Sequence, residues 1–466
     1  MKSPVVALAP TRLTLVGFGF LALGLGCTPP KPTPRQACAP GTRCLAVDDA
    51  GHAALGGAYL AQCAGTFPDY IVPATLFPAA YAGPWFSLAQ AFPSTHPPAE
   101  ELPWTSIDFQ AGTSAANDYL HALRAYAFDG MIEADFIPAK NARRRWYHAP
   151  LMNFHHGREL VHGVTEERPL AHPELGIKQG RTVRNFAVGF YNEIGAYSFG
   201  QVFARPNDPD LGKARFEEGA MVFKILFSAA TPDDFENPDA YLLEGAPAWQ
   251  IAIQPDPTAP GQLTTVRLLQ MDVAVRDARA KPSGWVFGTF AFDRQASDEP
   301  AWKRLRPVGL MWGNDPGYTP AEQQKKKPLR ESVVSDQIPA YAKAHLGWAG
   351  RVNGPVDNPA SACMSCHQTA QVPAAAGLLP SRACDTDRKK LYWFRNLGSG
   401  EAFGAVNAQS CEPAPDPKPT SLDFSLQLAA AVQSLGPSFG NVNPCTPSAA
   451  IRAVPGAPVT EPRIER

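Results

Sequence analysis

Chemistry is concentrated in five consecutive residues, Cys363-Met364-Ser365-Cys366-His367. Two thiols three positions apart, followed directly by a histidine, form the attachment signature of c-type haem. The spacing has a chemical reason. Each thiol adds to one of the two vinyl groups of the porphyrin and forms a thioether, and the adjacent imidazole faces the iron as proximal ligand. The expected cofactor is therefore one covalent haem c held by Cys363, Cys366 and His367. Three other chemistries use part of this pattern. A thioredoxin-like thiol pair belongs beside a βαβ unit, and no such alternation is apparent. A zinc site needs four ligands, usually including a second close pair; Cys384 and Cys411 supply thiols only at loose spacing. The third is a plain disulfide.

The sixth iron ligand is harder to find. The chain contains no methionine and no histidine after His367, and its last methionine is Met364, inside the motif. Upstream, His148, His155, His156 and His162 crowd one stretch. His155 and His162, seven apart, would share a helix face, whereas His156 and His162 would not. Met311, at a strand end beside Trp312, and His345, nearer the motif, are further candidates. Lys389, Lys390 and Tyr392 are unusual ones. The remaining option is an open position that binds peroxide, oxygen or nitric oxide, with a nearby histidine or Arg158 to polarise the ligand. Asp272, Asp277, Asp315 and Glu193 lie in or near strands and read as turn or surface acids rather than catalysts.

The run Asn358-Pro359-Ala360-Ser361-Ala362 through the motif to Gln368-Thr369-Ala370 resembles the attachment helix of c-type cytochrome domains. More broadly, Gly309-Leu310-Met311-Trp312-Gly313-Asn314-Asp315-Pro316 and Asn353-Gly354-Pro355-Val356-Asp357-Asn358-Pro359 are similar to segments of uncharacterised bacterial haem-motif proteins. The first resemblance implies a small helical cytochrome c-like segment around the haem. The missing downstream methionine departs from a small cytochrome c simply appended to the chain.

The start of the chain agrees with attachment outside the cytoplasm. Lys2 and Arg12 precede an apolar stretch from Leu13 to Gly26, too short for the roughly 20 residues a bilayer span needs. Leu23-Gly24-Leu25-Gly26-Cys27 looks like a bacterial lipoprotein signal with Cys27 as the lipidated residue, although Gly24 stands where leucine is usual. Thr28 to Pro34 reads as a stiff polyproline-type spacer. Apart from Cys27 and the motif pair, six cysteines remain: Cys38, Cys44, Cys63, Cys384, Cys411 and Cys445. In an oxidising compartment they are expected to form three disulfides. Three lie early and three late, so complete pairing forces at least one bridge between the groups, with a Cα separation under about 7 Å.

These residues need a scaffold. The chain has 466 residues, 45% of them apolar, enough for a sizeable core, and 48 prolines that imply long irregular connections. A net charge of −1 argues against nucleic acid as the main partner, which normally calls for a clearly basic surface. The runs Arg143–Arg145 and Lys325–Lys327 read as solvated surface. Helical spacing marks about 113–127, capped by Thr113 or Ser114 and stopped at Gly130; about 155–162, stopped at Gly163; and about 423–435, capped by Ser421. Period-2 alternation marks strands at 186–191, 221–227, 249–254, 269–276, 285–292 and 307–311. The expected fold class is α+β: a β-rich antiparallel sandwich or barrel with helices, joined to a small helical cytochrome c-like haem segment. The expected divisions are 1–26 signal peptide, 27–45 proline-rich spacer, 46–345 β-rich domain with an N-terminal helical part, 346–436 haem segment and 437–466 loose tail. The expected function is an exported haem protein that transfers electrons to a redox partner, in the periplasm or at the outer membrane, lipid-anchored or secreted. The alternatives are a haem enzyme or gas/peroxide sensor with an open axial position, and a disulfide-bonded surface lipoprotein without haem.

Overall fold

The alternating strands of the central region form one sheet. In the computed structural model, the described residues are 53–54, 78, 80–81, 86–152, 158–205, 208–255 and 259–434. The leader, the spacer, His155, His156 and all cysteines except the motif pair, Cys384 and Cys411 lie outside them. The sheet contains β1 (Thr165–Ala171), β2 (Thr182–Tyr191), β3 (Met221–Ser228), β4 (Ala248–Ile253), β5 (Gln262–Arg276), β6 (Trp285–Phe292), β7 (Leu305–Met311) and β8 (Ser332–Val334). Every pairing is antiparallel, in the order β8-β7-β6-β5-β3-β2-β1, with β4 on the first part of β5.

The expected sandwich or barrel is corrected here: the sheet is open. Its two faces are covered by non-sheet layers, and for that reason β6 is buried at every position. One face carries Phe190, Phe223, Val273 and Leu310 as cross-strand neighbours and packs against helix α1 (Thr113–Phe128). Gly288 lies in that row because α1 comes so close: a Cβ there would meet Leu120 Cδ2 at 2.4 Å. The other face carries Tyr191, Val222, Ala274, Phe287 and Met311, and packs against the segment containing the motif. A half-buried strand would alternate; here alternation records two different covers rather than core and solvent.

Helix α1 matches its expected span, but its N-cap is Gly112, with no side-chain cap bond. It stops where expected, at Gly130, which takes φ +76°. The helix expected over 155–162 does not exist across its described part. There the Glu159 carboxylate accepts the N–H groups of Val161 and His162, and Glu159 N donates to Val164 O, closing a turn. Helix α2 (Glu193–Val202) was not anticipated; Asn192 caps it by accepting from Gly195 N. The last helix begins later than expected, at Leu426, and its described part ends at Ser434. Ser421 belongs to a short strand pair, and Asp423 and Phe424 both have positive φ, so the helix cannot start before Ser425, whose Oγ accepts from Leu428 N. Among the described residues no helix is long and apolar enough to cross a membrane.

Candidate haem-attachment site

The motif forms one short helix, Cys363–His367. Ala362, in extended conformation, ends the preceding loop; its N–H donates to Ser365 Oγ (2.8 Å) and Cys363 N donates to Val352 O (3.2 Å). Met364 and Ser365 turn into the core, where Met364 joins Phe394 and Leu428. Cys363, Cys366 and His367 keep accessible surface, because positions i, i+3 and i+4 of a helix share one face. That face is the one that haem attachment requires.

The histidine ring is fixed. His367 Nδ1 lies 3.0 Å from the Phe424 carbonyl oxygen, and its ring centroid is 4.8 Å from that of Phe287. A carbonyl can only accept, so Nδ1 carries the proton and Nε2 presents a bare lone pair. This is the tautomer of a metal-ligating imidazole held by an outer hydrogen bond. Burial pushes the pKa of His367 down to about 4, so the ring is neutral at physiological pH. Burial, followed by Asp357, raises the Cys363 thiol well above its usual range and pushes Cys366 up to about 12. A thioredoxin-like pair needs the opposite, a stabilised thiolate.

Facing the motif is a polar strip on the sheet. Gly189, Lys224, Asp272, Thr289 and Gly309 are successive cross-strand partners on β2, β3, β5, β6 and β7. Lys224 Nζ lies 3.6 Å from Glu167 on β1 and 3.7 Å from Asp272. Thr289 Oγ1 donates to Asp272 (2.7 Å). Gln270 Nε2 donates to Asp272 (2.7 Å) and to Asp357 (3.2 Å), and Asp357 also accepts from Gly354 N. The side chains of Glu167, Lys224 and Asp272 are 28%, 27% and 24% accessible. Yet burial is the leading influence on Lys224, Asp357, both thiols and His367. Side chains that are desolvated but not covered line a recess rather than fill a core. This donor set fits a covalent haem: two thiols and a neutral, correctly protonated imidazole open onto one recess.

The other candidates fall elsewhere. His148 packs on Phe190 (5.1 Å between centroids) and accepts from Ala89 N, and His162 stacks on Trp249 (4.3 Å); both rings belong to the α1 side of the sheet. His345 Nε2 accepts from Leu175 N. Lys389 pairs with Asp385, and the Tyr392 hydroxyl donates to Phe403 O. Lys390 sits in the helical turn Asp387–Lys390. Arg158 binds the carbonyls of Ala149 and Gly163 as a loop clamp. Met311 lies on the correct face, opposite Phe287, but is wholly buried. Asp277 is held by Tyr119 and Arg279, Asp315 accepts from Arg330 and Glu331 N–H groups, and Glu193 lies in the first turn of α2, just past the end of β2. Asp272, by contrast, lies in the recess. Lys224, Glu167 and Asp357 were missed. The available signal was Lys224 itself, a lone cation in Met221-Val222-Phe223-Lys224-Ile225-Leu226-Phe227.

Cys384 and Cys411 form a disulfide (Cα–Cα 5.2 Å), so they are not thiol ligands for zinc. The bridge expected between early and late cysteines would involve residues outside those described. No protein-family model, curated protein or solved structure matches this chain.

The recess makes a pH-dependent prediction for the haem-free protein. Burial, then Asp272, pushes the pKa of Asp357 up to about 6, above an ordinary aspartate. A carboxyl with a raised folded-state pKa contributes stability while protonated; that contribution is complete below about pH 4 and lost as pH rises through about 6. Relative to D357N, wild type is expected to lose on the order of 1–2 kcal/mol between about pH 4 and 7, after discounting for partial exposure. Denaturant unfolding across that range checks this. A pH-independent difference would mean that folding does not hold Asp357 protonated.

Proposed function

We propose that this chain carries one haem c, bound through Cys363 and Cys366 with His367 as proximal ligand, and serves as an exported one-electron carrier in a bacterial envelope. The observation that carries this reading is the His367–Phe424 hydrogen bond, which fixes the ligating tautomer beside two thiols on the same accessible helix face. When bound, the haem supplies reversible one-electron chemistry; its potential is tuned by axial ligation, burial and hydrogen bonding. The protein's own contributions are to orient the imidazole, shelter the recess beneath the sheet and surround it with the charges of Glu167, Lys224, Asp272 and Asp357. Export to the periplasm or outer membrane, with lipidation at Cys27, rests on the leader sequence.

A second reading, a haem enzyme or sensor, draws on that same charged lining, which exceeds what an inert carrier needs. The deciding experiment for the cofactor is expression with haem-attachment machinery, followed by a denaturing gel stained for haem. A stained band at the chain's mass is expected. An unstained band would leave the Cys363/Cys366 pair without this function and return the protein to a binding or structural role.

A further inference from the structure

We propose that Asp423 is a positioning residue for the proximal ligand: it holds a left-handed turn that delivers the Phe424 carbonyl to His367 Nδ1. This rests on the covalent-haem reading and deepens it by naming what sets the proximal hydrogen bond. The starting observation is backbone strain. Leu422 O accepts from Ser425 N (3.0 Å), closing a tight turn whose central residues, Asp423 and Phe424, have φ of +48° and +66°. Turns with both central residues left-handed are dominated by glycine, asparagine and aspartate. Asp423 suits its place, but Phe424 does not, because a bulky residue at positive φ is an outlier. Such a conformation persists only where its surroundings over-determine it.

Asp423 supplies that constraint. It is wholly buried, and its side chain accepts from three separate segments: Phe216 N (2.8 Å), Trp285 Nε1 (3.4 Å) and Ser399 Oγ (3.0 Å). Phe216 precedes β3, Trp285 opens β6, and Ser399 follows the motif along the chain. The flanks of the turn are fixed as well. Leu422 N donates to Ala370 O, just after the motif, and Ser425 Oγ pairs with the Tyr191 hydroxyl (3.0 Å). These flanking bonds fix where the turn sits, and Asp423 fixes its twist. Relaxing Phe424 to negative φ would rotate its peptide and turn the carbonyl away from the imidazole. With the twist held, Phe424 O accepts from His367 Nδ1 at 3.0 Å. An outer bond of this kind sets the tautomer and raises the basicity of the ligating nitrogen. It is also a lever on the potential of a bound haem. Asp423 thus acts on the iron ligand through Phe424.

The test reads two properties of the full chain. In haem-free protein, nitrogen-15 NMR of His367 gives the ratio of Nδ1–H to Nε2–H tautomers. Wild type is expected to be almost entirely Nδ1–H. D423A is expected to lower that ratio roughly tenfold, the equivalent of one hydrogen bond. D423N should lower it less, because asparagine also accepts the left-handed conformation and keeps an acceptor oxygen. In haem-loaded protein, D423A should shift the potential to more positive values and lower the iron–imidazole stretching frequency. Y119F is the control for stability alone: it removes the buried Tyr119–Asp277 bond on the α1 side of the sheet and should move neither property. Wild-type tautomer ratio and potential in D423A would overturn the assignment, as would equal changes in Y119F. If D423A does not accumulate, S399A decides by the same readings: a smaller change in the same direction supports the role, and no change overturns it. Absence of covalent haem from wild type would defeat the reading on which this rests, whereas the tautomer ratios of the haem-free chain would still decide whether Asp423 positions His367.

Discussion

Changing both Cys363 and Cys366 to alanine is expected to reduce haem staining of the denatured chain to background while leaving the fold in place. Each replacement deletes one sulfur from a half-buried side chain, which costs about 1 kcal/mol, well within the margin of a domain this size. Each single variant retains one thiol and so one thioether. Its stain should weaken, and the alkaline pyridine spectrum should shift toward that of a porphyrin with one unreacted vinyl group. His367→Ala acts on a different property. It removes the Nε2 donor and the bond to Phe424 O together, so any haem that remains attached should lose the low-spin spectrum. Undiminished staining in the double cysteine variant would rule out attachment at this motif. The three substitutions therefore separate covalent attachment from axial ligation, which a single loss of activity would not do.

The motif was legible as a pattern because its residues are adjacent, and the short helix Cys363–His367 leaves both thiols and the imidazole partly accessible on one face. The strands were also legible, as the 285–292 expectation coincides with β6. Their assembly was not. Trp285 to Phe292 is buried throughout, and a run of that kind does not say whether a second sheet or a helix and irregular chain lie over it. The last helix was misplaced because Asp423 and Phe424 adopt positive φ, a tertiary demand: Asp423 accepts from Phe216 N, Trp285 Nε1 and Ser399 Oγ. The recess was hidden for a related reason. Glu167, Lys224, Asp272 and Asp357 come from four separate stretches; strand register gathers the first three, and Asp357, in the loop before the motif, joins them through Gln270. Asp272 read as an ordinary acid because alternation alone does not show which face of a doubly covered sheet meets the motif.

Arg351→Ala is expected to destabilise the protein by about 3–5 kcal/mol and to lower haem loading with it. Arg351 is fully buried, and its guanidinium donates to four backbone carbonyls: Nε to Asn314 O, Nη1 to Trp348 O, and Nη2 to Asp315 O and Tyr318 O, all at 2.8–2.9 Å. It also lies 4.5 Å from the Phe394 ring centroid and 5.1 Å from that of Trp348. Burial lowers its pKa to about 10, still high enough to keep it charged at neutral pH. Alanine would leave those acceptors without donors and open a gap between aromatic rings. Lysine is expected to recover less than half of the loss, because a single ammonium lacks the planar fork that reaches carbonyls on both segments. The effect reaches the site through a short path. Arg351 holds the stretch next to Val352, whose carbonyl accepts Cys363 N at the start of the motif helix. Loosening it is expected to free Cys363 and Cys366 from their common face. Denaturant midpoints and haem stain per chain should therefore fall together in R351A. A change below about 1 kcal/mol would show that water or neighbouring N–H groups replace the guanidinium readily, and that the motif helix is held by the His367–Phe424 contact and the packing of Met364 instead.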